Sequence, residues 1–174
     1  ALVNSKFRAQ LEEKWGSQLF ALADNQIKGF SPAIIELMQK ENKLVSEYNK
    51  LVASAQIEFD GKTLTLAQLA PYGESTDRTI RKAARDTSAN FFAENGQKFD
   101  ELYDQLVKIR HEIATTVGYK NYVELGYIHM DRIDYNAEMV AKFREQVREF
   151  IVPLVTKLYE RQAKRIGVGD LKYY

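Results

Sequence analysis

The chain has 174 residues, close to the size of one domain, with 45% hydrophobic residues, 25 Lys and Arg against 24 Asp and Glu, and no cysteine. This balance lacks the cationic surplus that dedicated nucleic-acid binders rely on, and zero cysteines exclude a disulfide framework, a Cys-ligated zinc site and thiol catalysis. No stretch of ~18 apolar residues offers a membrane span and no secretory signal is visible at the start, so a cytoplasmic protein is expected.

Three prolines and nine glycines are few breakers, which predicts long helices. The first is expected from about Asn4 to Asn25, with Phe7, Leu11, Trp15, Leu19 and Leu22 on one face. Ser31-Pro32 is a helix start: the serine can cap orphan amides and the proline gives up no hydrogen bond there. A stripe of Leu37, Leu44, Tyr48, Leu51 and Ala55 carries this second helix to about Ala55. Asp60-Gly61 between alternating residues then predicts the one hairpin, at about 57–66. A helical turn over 67–70 is expected to stop at Pro71.

Ser75 is expected to open the next helix, 76–95, with Ile80, Ala83, Ala84, Thr87, Phe91 and Phe92 inward and Gly96 as its stop. The sharpest period follows: Phe99, Leu102, Leu106, Ile109, Ile113 and Val117, closed by Gly118. A short turn or helix should cover 122–127, and Asn136 should cap a last long helix reaching about Ile166. Its stripe is Val140, Phe143, Val147, Phe150, Leu154 and Leu158, and Pro153 inside it should kink or split the helix. The class is therefore mainly α: a multi-helix array with one small β-hairpin, read as a single helical domain over 1–174.

Chemistry is sparse. His111-Glu112-Ile113-Ala114-Thr115 starts like the His-Glu-x-x-His helix of zinc peptidases, but Thr115 replaces the second imidazole, so an outer helical face is the plainer reading. His129 with Asp131 makes at most half of a metal site. The carboxylates Glu12, Glu13, Asp100, Glu101 and Asp104 read as a solvated surface, and Gly167-Val168-Gly169 as a helix stop rather than a phosphate loop. Arg78, Arg81, Lys82 and Arg85 could meet phosphate, but interleaved Asp77 and Asp86 favour pairing along the helix. Tyr119, Tyr122, Tyr127 and Tyr135 crowd one stretch; such residues suit peptide-binding clefts, and more often rim a helical core. No catalytic, cofactor-binding or metal-ligating residue is assigned to this chain.

Several spacings do form a pattern. Leu69-x-Pro71-Tyr72 is followed by Asp77-Arg78-x-x-Arg81-Lys82-Ala83-Ala84, then by Phe99-Asp100-x-x-Tyr103-x-x-Leu106. Arg110-x-x-Ile113-Ala114 and Gly118-Tyr119-x-x-Tyr122 complete it. This order resembles oligoendopeptidase F in the thimet oligopeptidase family of zinc metallopeptidases, over about Phe7 to Tyr174. The resemblance implies a mostly helical, two-lobed peptidase around a deep channel, with its zinc ligands in a C-terminal half. The present chain resembles the region before that half, so the zinc catalytic half is absent from it.

The expectation is thus a helical fragment of an oligopeptide-cleaving zinc metalloendopeptidase. It would form part of the substrate-channel wall, with short peptides as substrates of the parent, the missing C-terminal lobe as its partner, and no zinc or activity of its own. The beginning at Ala1 and the end at Tyr173-Tyr174 agree with a piece of a longer protein. The alternative is a non-enzymatic helical protein-interaction module; a nucleic-acid surface on Arg78–Arg85 is weaker still.

Overall fold

The computed structural model describes residues 3–169 and 171–174. It is mainly helical with one antiparallel hairpin, as the composition and periodicity predict. The chain forms two compact units, one built from 33–118 with Tyr174, the other from 1–32 with 119–173.

In the central unit, a 3-10 turn over Pro32–Ile34 leads into α3 (Ile35–Ala53), following α1 (Arg8–Trp15) and α2 (Gln18–Lys28) of the other unit. Strands β1 (Ile57–Phe59) and β2 (Lys62–Leu64) then pair in the register Ile57↔Leu64, Glu58↔Thr63, Phe59↔Lys62. That register leaves a two-residue turn in which Asp60 and Gly61 both have positive φ, 54° and 69°, the mirror-image turn that matches strand twist. Thr65 closes a capping box with Gln68 and opens α4 (Leu66–Leu69). The chain continues past Pro71 as a 3-10 turn, Ala70–Glu74, rather than stopping there.

Helix α5 (Arg78–Glu94) is capped by Asp77, whose carboxylate accepts the Thr79 amide at 2.7 Å. Ser75 instead accepts from the Asp77 amide, so the helix starts two residues later than expected. Gly96 does not stop α5: it is the first residue of α6 (Gly96–Val117), and Asn95 forms the corner. Ala55, Ile57, Leu69 and Ala84 make a small core under the hairpin, with Phe59, Leu64, Leu66, Tyr72 and Phe91 packed against it. A two-stranded ribbon is marginal alone, and this contact supplies what it lacks.

Helices α3 and α6 pack along each other. Leu106, Ile109, Ile113 and Ala114 of α6 are buried, which is the face the period predicts, and Gly118 ends the helix at φ 109°. Full burial of a side chain such as Ile113 stabilises by about 1.5–3 kcal/mol. Arg110 pairs with Glu41 at 2.7 Å across the same two helices, and Tyr48 meets Phe99 edge-on at 5.6 Å.

In the other unit, the expected first helix is two. Gly16 at φ 84° ends α1, and α2 restarts with its helical phase reset. The predicted stripe is consequently not the buried face: Phe7, Trp15 and Leu19 are exposed, whereas Phe20 and Asn25 are buried. Arg8 joins the halves by a two-pronged pair with Asp24, at 2.7 and 3.3 Å. Helix α2 packs against α7 (Tyr122–His129).

Asn136 caps α8 (Ala137–Gln146), accepting the Met139 amide at 3.0 Å. A π turn over Val147–Ile151 then widens the helix before α9 (Val152–Ile166). Here the Val152 amide reaches back to the Val147 carbonyl, and Pro153, which has no amide hydrogen, is taken in without a break. The predicted inner stripe of this helix lies largely open, with Phe143, Phe150, Leu154 and Leu158 exposed. Among the described residues, no helix is long and apolar enough to cross a membrane.

Candidate functional site

The sequence candidates for metal chemistry come apart in the fold. His111 and Glu112 are exposed on α6, and the Thr115 hydroxyl turns back to their carbonyls at 3.1 Å each. His129 places Nε2 3.1 Å from the Gly29 carbonyl and Nδ1 3.4 Å from the Tyr122 hydroxyl. A carbonyl only accepts, so Nε2 carries a hydrogen. Asp131 is taken by amide donors from Asn25 and Gln26, at 3.1 and 2.8 Å. Among the described residues, no three His, Cys, Asp or Glu side chains come together as a metal site. The donor set present does not fit zinc.

The charged clusters behave as helix surfaces. Lys82 pairs with Asp86 one turn on, and Arg81 donates to the Ser75 and Thr76 carbonyls at 2.7 and 3.1 Å. Glu12 pairs with Arg8 at 2.8 Å and Asp104 with Lys108 at 2.6 Å. Gly167, at φ 70°, caps α9 as a stop.

Three of the four tyrosines converge, whereas Tyr122 turns its hydroxyl to His129 instead. Tyr119, Tyr127 and Tyr135 line one cleft of about 620 Å³ with Asn25 and Lys28 of α2 and with Asn121, Glu124, Arg132 and Asn136. Local structure sets each position. Asn121 caps α7 by accepting the Val123 amide at 2.9 Å, which holds Tyr119 just before the helix. Asp131, at φ 52°, turns the chain out of α7 and brings Arg132 back over it, where the Arg132 amide donates to the Tyr127 carbonyl at 3.0 Å. The Arg132 guanidinium lies 4.7 Å from the Tyr127 ring centroid and 5.7 Å from that of Tyr135. Those two rings meet edge-on at 6.3 Å. The Tyr119 hydroxyl donates to the Lys28 carbonyl at 3.2 Å. Burial, and secondarily the charge of Glu124, pushes the Tyr119 phenol above its usual range.

Chemically, the cleft offers flat aromatic faces, two cations and one carboxylate, with no nucleophile activated by a base. Sequence reasoning found the tyrosines and missed Arg132, Lys28 and Asn25. The spacing Tyr127, Arg132, Tyr135 was a readable signal for the first; the other two arrive from about a hundred residues away and carry none.

The comparisons agree with this helical picture. The peptidase M3 N-terminal domain model matches residues 1–30, and the peptidase family M3 model matches 71–174. Among solved structures, a PZ peptidase A with an inhibitor is 61% identical over the whole chain with TM-score 0.91. A structure assigned as oligoendopeptidase F is 55% identical with TM-score 0.92, and one so assigned from Bacillus anthracis str. Ames is 50% identical with TM-score 0.89. All of the chain is covered in each case, but it spans only 31%, 31% and 32% of those chains. No curated protein matches the sequence. A family model that covers most of the chain, joined to such identities from end to end, leaves one assignment: the chain belongs to peptidase family M3.

Proposed function

We propose that this chain is the helical, non-catalytic portion of a two-lobed zinc endopeptidase that hydrolyses internal bonds of short peptides, and that it walls the substrate channel. The supporting observation is the family membership taken together with length: the chain spans about a third of the solved relatives. In this reading 1–174 acts as one helical domain of a larger polypeptide, zinc is held by residues outside it, and folded proteins are kept from the channel by size. The absence of cysteine suits a reducing cytoplasm.

The second lobe would cover the exposed apolar face of α8 and α9, where Phe143, Phe150, Leu154 and Leu158 lie open to solvent. Elemental analysis and a quenched fluorescent peptide assay test the whole reading, applied to the 174-residue chain and to a longer polypeptide containing it. The expected result is zinc and chelator-sensitive cleavage in the longer protein and neither in this chain. Light scattering should show that the chain alone self-associates, and that supplying the second lobe suppresses this. Zinc-dependent cleavage by the chain itself would overturn the reading. So would a strictly monomeric chain indifferent to the second lobe, which would favour a stand-alone interaction module.

A further inference from the structure

We propose that the cleft between α2 and residues 119–137 binds a peptide carboxylate, with Arg132 as the group that meets it. The inference rests on the peptidase reading for its ligand class, short peptides, and on the cleft itself for the chemistry.

Arg132 is half-buried, and among the described residues its guanidinium has no carboxylate or hydrogen-bond acceptor. Its contacts are the two tyrosine rings, at 4.7 and 5.7 Å. Contact with ring faces fixes the guanidinium plane and leaves its N–H edge unused. A planar, pre-oriented donor edge in a partly desolvated setting matches a carboxylate in a two-pronged geometry. The neighbouring acids do not fill that role. Asp131 is committed to Asn25 and Gln26. Glu124 lines the cleft without pairing with Arg132 among the described residues, and its charge is outweighed by Arg132 and Lys28 together. Lys28 also lies in the field of Asp24, so its charge is only partly available to a ligand.

Two further donors face the same space. Asn121 and Asn136 use their Oδ1 atoms to cap α7 and α8. That orientation leaves each Nδ2 as a donor, and both residues line the cleft. The faces of Tyr127 and Tyr135 supply apolar area for the residue that bears the carboxylate. A volume of about 620 Å³ lies in the range of pockets that take small ligands.

The carboxylate could be a peptide C-terminus or an acidic side chain, and three probes separate these. They are N-acetylated tetra-alanine as the free acid, the same peptide as its C-terminal amide, and an amidated version with one internal glutamate. Calorimetry on the 174-residue chain, without zinc or cleavage, reads binding directly, so failure here leaves the peptidase reading standing and the reverse holds too. Expected is binding of at least one carboxylate-bearing probe, weaker by about tenfold or more for the plain amide. Arg132→Gln should remove that preference, while Arg132→Lys should keep part of it because charge survives and the fork does not. Should Arg132→Gln fail to fold, the comparison of both carboxylate-bearing probes with the plain amide on the unaltered chain still decides. Equal affinity for all three probes, no binding of any probe at millimolar concentration, or a folded Arg132→Gln variant that keeps the preference would overturn the proposal.

Discussion

Asn25 donates from a single amide nitrogen to two groups far along the chain: the Ile128 carbonyl at 2.7 Å and the Asp131 carboxylate at 3.1 Å. Asn25 is the buried polar residue of α2, and its bonds hold the turn that presents Arg132. Removing it leaves an acceptor unpaired in a partly buried setting. Asn25→Ala should cost about 1–3 kcal/mol. Asn25→Asp should cost more, since a carboxylate would face another carboxylate and a carbonyl. Urea melts check both; an aspartate variant milder than the alanine would contradict this account.

Gly29 tests the same contact by steric means. Its φ is −86°, so a side chain is not excluded by backbone conformation. A Cβ there would lie 2.9 Å from Ile128 Cγ2 and 3.2 Å from His129 Cδ2. Gly29→Ala should therefore destabilise by about 1–3 kcal/mol through overpacking. Gly73→Ala, where nothing lies within 4 Å, should stay within about 0.5 kcal/mol of the parent. Thermal melts of the two variants separate them.

The Arg8–Asp24 pair predicts an acid response. Hydrogen bonding to the guanidinium holds the Asp24 carboxyl below its usual value of 3.8. A carboxyl with a lowered folded pKa stabilises above its unfolded value, and this stability is lost as pH falls through the folded one. Asp24→Asn should then be less stable than the parent near neutrality, and the gap should close as the pH drops below the ordinary carboxylate range. Melts as a function of pH measure the gap; one that widened toward acid would reverse the sign argued here.

On α6, Ile109 is buried and His111, two positions along, is exposed. Ile109→Ala should cost about 2–5 kcal/mol, and His111→Ala less than about 1 kcal/mol. Equal losses in denaturant would mean that the helix buries a different face.

Some of this fold was legible beforehand because local chemistry and tertiary need coincide. The period of α6 continues without a breaker for six turns, and Asp60-Gly61 dictates its own turn. At the first helix they diverge. Phe7, Leu11, Trp15 and Leu19 keep helical spacing across Gly16, so periodicity alone hides the glycine that resets the phase. Ser75 and Asp77 are both good caps, and only the bond from the Thr79 amide to the aspartate shows which one serves α5. The cleft was half legible: its tyrosines crowd one stretch, whereas Asn25 and Lys28 reach it through packing of α2 on α7, which no local pattern encodes.

The π turn over Val147–Ile151 gives the long helix a reserve of length. One more residue is stored there than an α-turn would hold, and the Val152 amide skips to the Val147 carbonyl to accommodate it. Deleting a single residue in that stretch would let the turn relax to α geometry. Everything from Val152 onward would then keep nearly its present phase, because five residues of the wider turn wind about as far as four α residues at ~100° each. Leu154 and Leu158 would stay on the side on which they now stand relative to Phe143, with neither segment losing its own helical bonds. The turn thus absorbs one residue of chain length without redirecting the apolar side of α9.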